Sequence, residues 1–293
     1  MLEAVQTEPG KLSIRATVRH VGVYLDNHSI ISFAKGNGDR RARMIRAFER
    51  GADLMFSPTN AAEIIGPERQ SSLDAVRAFL DAVGPHWFPV EGPDIVAVLG
   101  REAAGADRSD VCTSSWFLNQ FFAGRNIQLH GEQRLEPVEP EFFRLGFVLD
   151  WLGPQRHDIR RRVAAFDANL GEKLSQLRRA YDHNRSGFDL HLPAPNWDTS
   201  RPATFAWNGL LRRLVLDAKA FRFKKGDGAD FCHAVIGAAF ANFATLDKQW
   251  KRRVLSLPKP NGLASVYYEP ELDQLVADVE NAVEQRHEYA GAG

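Results

Sequence analysis

The sequence predicts an α/β domain, in which a parallel sheet sandwiched between helices is assembled from the N- and C-terminal segments and interrupted by a mostly helical insertion. Three observations predict it. Short, continuously apolar runs that suit strands buried on both faces occur near both ends of the chain. These runs alternate with amphipathic helical stripes, the pattern of parallel strands joined by crossover helices. Between about residues 93 and 220 the apolar spacing becomes helical, and no convincing strand alternation remains.

Residues 1–20 carry interspersed charges and a Pro-Gly pair, lack the apolar core of a signal peptide, and read as a solvated N-terminal arm. The first part of the domain, 21–91, opens with a strand at Val21–Leu25 that runs into Asp26. After Gly36-Asn37-Gly38, Asp39 caps a helix that places Met44, Ile45 and Phe48 on one face and stops at Gly51. Leu54-Met55-Phe56 is the second strand, and Ser57-Pro58-Thr59-Asn60 starts a helix that carries Glu63. Leu73, Val76, Phe79, Leu80 and Val83 lie at helical spacing, and His86–Val90 is a short strand that Pro89 confines to an edge or a loop.

The insertion, 92–205, carries apolar stripes at 109–123, 140–152 and 159–181, with another at 203–220 that leads into the second part. The Pro-, Asn-, Asp- and Ser-rich stretch 182–201 reads as a long loop within it. The second part, 206–293, opens a helix at Gly228-Ala229-Asp230. It continues with a strand at Asn242–Leu246 that ends in Asp247, a basic helix through Arg253, and a strand at Ser265–Tyr268. A closing helix over 270–286 gathers Leu272, Leu275, Val276, Val279 and Val283 on one face.

With 293 residues, 44% hydrophobic and 25% charged, the composition is globular, and disordered, collagen and solenoid readings fall away. The 37 basic and 37 acidic residues balance, so no whole-chain field draws the protein to nucleic acid or membrane. Cys112 and Cys232 form no CxxC pair, which argues against a disulfide framework or a cysteine zinc site and points to a cytoplasmic setting. The longest weakly polar stretch, Phe231–Leu246, falls short of the ~20 apolar residues of a bilayer span. GxSxG, GxxxxGK, GxGxxG and HExxH motifs are all absent.

In open parallel sheets the carboxyl ends of the strands form the ligand crevice. Asp26 and Asp247 each follow a predicted strand, while Glu63 and Asp230 lie near helix beginnings, so all four are expected to converge on one edge. Crowded carboxylates repel unless a cation or proton compensates, and oxygen-only ligation favours Mg²⁺ or Mn²⁺. Such ions suit phosphodiester hydrolysis, activating a water and holding the leaving oxygen. Each acid also has a structural reading. Asp26 and Asp247 could cap the helices that follow them, Asn60 and Glu63 could form a capping box, and Asp227 or Asp230 could cap the helix at 228. The stretch Gly226–Asp230 reads as a turn with left-handed glycines, with Asp227 a secondary candidate for a fifth acid, and His233, one turn after Asp230, reads as a structural histidine that could otherwise touch substrate or orient the carboxylate.

Four short motifs, Val23-Tyr24-Leu25-Asp26-Asn27, Ser57–Gly66, Asp230-Phe231-Cys232-His233-Ala234 and Thr245-Leu246-Asp247, resemble those of the PIN-domain ribonucleases in residues and in order. That family includes the toxins of many prokaryotic toxin–antitoxin pairs. The resemblance implies a three-layer α/β/α PIN-like fold and a metal-dependent endoribonuclease of toxin or defence type. It further implies that Asp26, Glu63, Asp230 and Asp247 are both the catalytic and the metal-binding residues, that Mg²⁺ or Mn²⁺ is the cofactor, and that RNA is the substrate. An inhibitory protein partner is compatible with it. The interval between Glu63 and Asp230 is far longer than compact members of the family need, and the insertion fills it.

The expected activity is hydrolysis of RNA phosphodiester bonds. The alternatives are a non-catalytic RNA- or protein-binding module and a structure-specific DNA nuclease. Arg40, Arg41, Arg43, Arg46, Lys224, Lys225, Lys248, Lys251, Arg252 and Arg253 flank the acidic motifs and are either phosphate contacts or a solvated face. The apolar closing helix could dock on its own domain or on a second copy in a homodimer.

Overall fold

The computed structural model describes residues 2–8, 11–16, 21–65, 70–92, 94–118, 144–146, 149, 152–219 and 221–291. The arm is not featureless: β1 (Leu2–Glu8) and β2 (Lys11–Ala16) pair antiparallel in a two-stranded sheet of their own. The period-two pattern Leu12-Ser13-Ile14-Arg15-Ala16 suits that pairing, although its charges suggested solvation.

The main sheet has five strands, all parallel, in the order β5-β4-β3-β6-β7. They are β3 (Val21–Tyr24), β4 (Ala52–Phe56), β5 (Trp87–Pro89), β6 (Phe243–Thr245) and β7 (Ser265–Tyr267). The two ends of the chain meet at its centre, where Val23 pairs with Leu54 on one side and Phe243 on the other. β5 is an edge strand, which accommodates Pro89, a residue with no N–H to give a further neighbour.

Strand alternation divides the side chains between two apolar clusters, one on each face. Val21, Val23, Leu54, Phe56 and Trp87 join α1 (Asn27–Lys35), α2 (Gly38–Glu49), α3 (Pro58–Ile65), α4 (Gln70–Val83) and the closing helix. Tyr24, Met55, Phe88, Ala244 and Val266 face the other way, into a cluster built by the insertion and the second part. Burial on both faces explains why these strands read as continuous apolar runs.

Between β5 and the second part, the described elements include α5 (Ile95–Ala103), α6 (Arg108–Cys112), α7 (Arg156–His183), α8 (Phe188–His191) and α9 (Pro202–Leu216). The stripe at 159–181 is α7, which buries Ile159, Leu170 and Leu174. Most of the 140–152 stripe, and the 109–123 stripe beyond 118, lie outside the described residues. The stretch read as one long loop holds α8, nucleated by Phe188, which is buried against Tyr181 with the Arg212 guanidinium over its ring.

Two buried carboxylates brace the insertion, one across its own helices and one to the second part of the domain. Glu102 of α5 accepts from Ala203 N at 2.8 Å, Thr204 N at 2.7 Å and Thr204 Oγ1 at 2.7 Å, satisfying the first turn of α9. Asp167 of α7 accepts from Gly226 N at 3.1 Å and Gly228 N at 2.7 Å, at the start of α10 (Asp227–Phe240). α10 lies close against β3, and a Cβ at Gly237 would come within 2.8 Å of the Tyr24 ring. α11 (Lys248–Leu255) follows β6.

The closing helix α12 (Leu272–Gly291) docks on its own chain. Leu272, Leu275, Val276, Val279 and Val283 are buried against the sheet, and ion pairs Arg40–Asp273, Arg43–Glu280 and Arg50–Glu284 tie the helix to α2 and its C-terminal cap. Among the described residues, no helix is long and apolar enough to cross a membrane.

Candidate active site

Asp26, Glu63, Asp230 and Asp247 line a single pocket of about 780 Å³, together with Asn27, His28, Ser29, His233, Leu246, Lys248, Tyr268, Glu269 and Pro270. It opens at the carboxyl ends of the adjacent strands β3 and β6. The fold therefore brings all four sequence-predicted acids to one edge of the sheet, across large separations in the chain.

Asp26 leaves β3 as the N-cap of α1, and its Oδ1 accepts from Ser29 N at 2.9 Å. The same oxygen accepts from the Thr245 hydroxyl at 3.1 Å, and Thr245 Oγ1 in turn accepts from Asp26 N at 2.9 Å, locking the ends of β3 and β6 together. Asp247 caps α11 through Oδ1, which accepts from Trp250 N at 2.7 Å. Capping and pocket lining coincide in these two residues, because a cap presents its carboxylate at the helix end nearest the strand edge.

Glu63 is not in a capping box with Asn60. Asn60 pairs instead with Ser57: its Oδ1 accepts from Ser57 N at 2.9 Å and Ser57 Oγ at 2.8 Å, and its Nδ2 donates to Leu25 O at 2.9 Å. That pairing anchors α3 to the end of β3 and leaves Glu63, one turn on, to face the pocket. Asp230 is no cap either. Gly226 precedes α10 with φ +98°, and Asp227 Oδ2 accepts from Lys224 N at 2.5 Å in the expected turn.

Burial pushes the Asp230 carboxyl up to about 7. The neighbouring charges of Asp247, Glu63 and Asp227 add to the rise, while His233 opposes it. For His233, burial disfavours the charge, but Glu63, Asp230 and Asp26 outweigh it and hold the imidazole above its ordinary value. The pocket thus demands positive charge. Among the described residues, both Asp230 oxygens, Asp26 Oδ2, Glu63 Oε1 and Asp247 Oδ2 form no hydrogen bond or ion pair.

Oxygen donors of this kind fit a hard divalent cation. Among the described residues, no group of three or more His, Cys, Asp and Glu side chains is arranged to hold a metal ion. Mg²⁺ does not require such a cage, since it commonly takes one or two carboxylates and completes its shell with waters and substrate phosphate.

Tyr24, Thr245 and Glu269 have no site role in the sequence reading, and His233, read there as structural, lines the pocket. His233 Nε2 lies 3.2 Å from Glu63 Oε2, and Nδ1 lies 2.5 Å from the Tyr24 hydroxyl. Glu269 adds a fifth acid to the rim, where Ser32 Oγ donates to it at 2.8 Å and His28 Nε2 lies at 2.8 Å.

The basic residues divide. Arg40 and Arg43 pair with α12, Lys251 pairs with Glu271, and Arg253 stacks on Phe221 and Trp250. Arg46, Lys224, Lys225, Lys248 and Arg252 are exposed, and of these Lys248 lines the pocket. Compared with protein-family profiles, curated proteins and solved structures, the chain matches none.

Proposed function

We propose that the protein is a Mg²⁺- or Mn²⁺-dependent endoribonuclease of PIN-like architecture. The observation that carries this reading is the sharing of one pocket by Asp26, Glu63, Asp230 and Asp247, each with an unbonded oxygen, and with the Asp230 carboxyl raised to about 7 by burial and like charge. Four acids gathered from both ends of the chain suit a cation better than any one of them suits a structural role. The parallel sheet and the order of the four motifs support the PIN-like reading.

One or two of these four carboxylates would hold the cation directly and the others would face it through water, and the ion when bound supplies Lewis acidity toward a phosphoryl oxygen and a water of lowered pKa. Thr245 and the first turn of α1 fix Asp26, so one ligand oxygen is oriented before substrate arrives. Positive charge held in the pocket would favour the ionised form of Asp230, whose carboxyl burial and like charge raise to about 7. Lys248 at the pocket and Lys224, Lys225 and Arg252 on exposed surface offer charge for a polyanion backbone. A cytoplasmic setting is part of the same proposal, resting on two cysteines that are buried and free. A toxin or defence role with an inhibitory protein partner is part of the same proposal.

Purified protein is offered a total-RNA pool and a matched DNA pool with Mn²⁺, with Mg²⁺ and with chelator, alongside folded Asp26→Asn. Metal-dependent cuts in RNA that the variant fails to make are expected. Cuts confined to DNA would reassign the substrate, and inert but natively folded wild type would favour a non-catalytic binding module.

A further inference from the structure

We infer that His233, backed by the Tyr24 hydroxyl, is the positioning residue that holds Glu63 in its ligating orientation. This role rests on the cation reading above. His233 and Tyr24 are 3% and 1% exposed, and burying a phenol and an imidazole at the sheet face is unfavourable unless every polar atom is matched. Here they are matched in series. Nδ1 of His233 lies 2.5 Å from the Tyr24 oxygen, Nε2 lies 3.2 Å from Glu63 Oε2, and the Tyr24 oxygen lies 3.3 Å from Ser57 Oγ.

The proton bookkeeping of this chain has one constant. Ser57 gives its hydroxyl proton to Asn60 Oδ1, so it can only accept from Tyr24. With a neutral imidazole, the Tyr24 O–H donates to Nδ1, and the ring proton sits on Nε2. With a charged imidazole, Nδ1–H donates to the phenol oxygen, whose own proton turns to Ser57. Nε2–H donates to Glu63 Oε2 in both states. An amphoteric phenol thus secures the donor that faces Glu63 whatever the charge on the ring.

Without that donor, the Glu63 side chain, 27% exposed on the eight-residue helix α3, has several solvated rotamers to choose from. With it, Oε2 is pinned, and the unbonded Oε1 is the ligand the pocket receives. The pin also spans the insertion: it joins α3 of the first part to α10 of the second, on the helical turn that follows Asp230.

The test compares the full-length wild type with His233→Leu, His233→Gln and Tyr24→Phe. Mn²⁺ is titrated calorimetrically in the absence of RNA, with near-ultraviolet circular dichroism as the folding control. Affinity is expected to fall roughly 10–100-fold in the leucine variant, to fall less in Tyr24→Phe, and to recover within a few-fold of wild type in the glutamine variant, whose amide N–H reaches toward Glu63. Should the leucine variant fail to fold, Tyr24→Phe, which deletes one oxygen, carries the comparison. A metal-free arm records ¹⁵N signals of labelled histidines at pH 8, where His233 is expected to carry its proton on Nε2.

Wild type that binds Mn²⁺, with the leucine and phenylalanine variants binding equally well, would overturn the positioning role alone. So would a glutamine variant as weak as the leucine one, or a bare Nε2 in the spectra. Wild type that binds no Mn²⁺ would overturn the cation reading and this role together.

Discussion

Replacing Asp230 by asparagine is expected to stabilise the protein, by an amount that grows with pH. In the unfolded chain this carboxyl ionises at its ordinary value of 3.8, and in the folded pocket at about 7. Between those values the folded state binds more protons than the unfolded one, so the aspartate's contribution worsens as pH rises through that window. Below 3.8 it costs nothing. Above pH 7 the expected cost levels at about 4 kcal/mol, and at pH 5 it is less than half of that. Asparagine keeps the shape and carries no charge, so Asp230→Asn in chelator gains roughly 4 kcal/mol over wild type at pH 8 and less than half of that at pH 5. Denaturant unfolding of both proteins at the two pH values measures the difference directly. Added Mn²⁺ is expected to narrow it at pH 8, because only the aspartate offers the ion a charged ligand. A variant that is less stable at pH 8, or more stable by the same margin at both pH values, would refute this electrostatic account of the pocket.

Thr245→Val removes the hydroxyl that bridges Asp26 and leaves Asp26 N–H without its partner, at a cost of about 1–3 kcal/mol in thermal or denaturant unfolding. Cleavage is expected to fall further than stability alone explains. Asp167→Ala removes the acceptor of two backbone N–H groups at the start of α10 and is expected to cost about 2 kcal/mol, with loss of amide-exchange protection in that first turn while the α2 amides keep theirs. Arg43→Ala severs a pairing between α2 and Glu280 of α12, and is expected to lower the melting temperature more in low salt than in high salt.

The fold class was legible because parallel strands buried on both faces leave an unmistakable record, as at Val21–Leu25 and Leu54–Phe56, and because the chain returns to that record after a long helical interval. Pro89 marked an edge strand for the same local reason that it occupies one. The N-terminal hairpin is hidden because charges at Glu3, Lys11 and Arg15 mask a short alternation, and α8 because it spans four residues of a mostly polar stretch. At the site, the four acids were legible from their positions at strand and helix ends. The rest depends on distance in space, which no local pattern encodes. Ser57 rather than Glu63 partners Asn60 because α3 starts one residue after the strand, and His233 meets Glu63 only because α10 crosses the sheet beside α3. The arginines of α2 looked free to hold phosphate because their acidic partners lie at the far end of the chain, on α12.

The most direct test of the central claim is the chemistry of the cut ends. Wild type acting on RNA with Mn²⁺ is predicted to leave 5′-phosphate and 3′-hydroxyl termini, as attack by water with departure of the 3′ oxygen requires, and to leave none in chelator or as Asp26→Asn. Ends bearing a 2′,3′-cyclic phosphate, or cleavage that persists in chelator and in the variant, would contradict it.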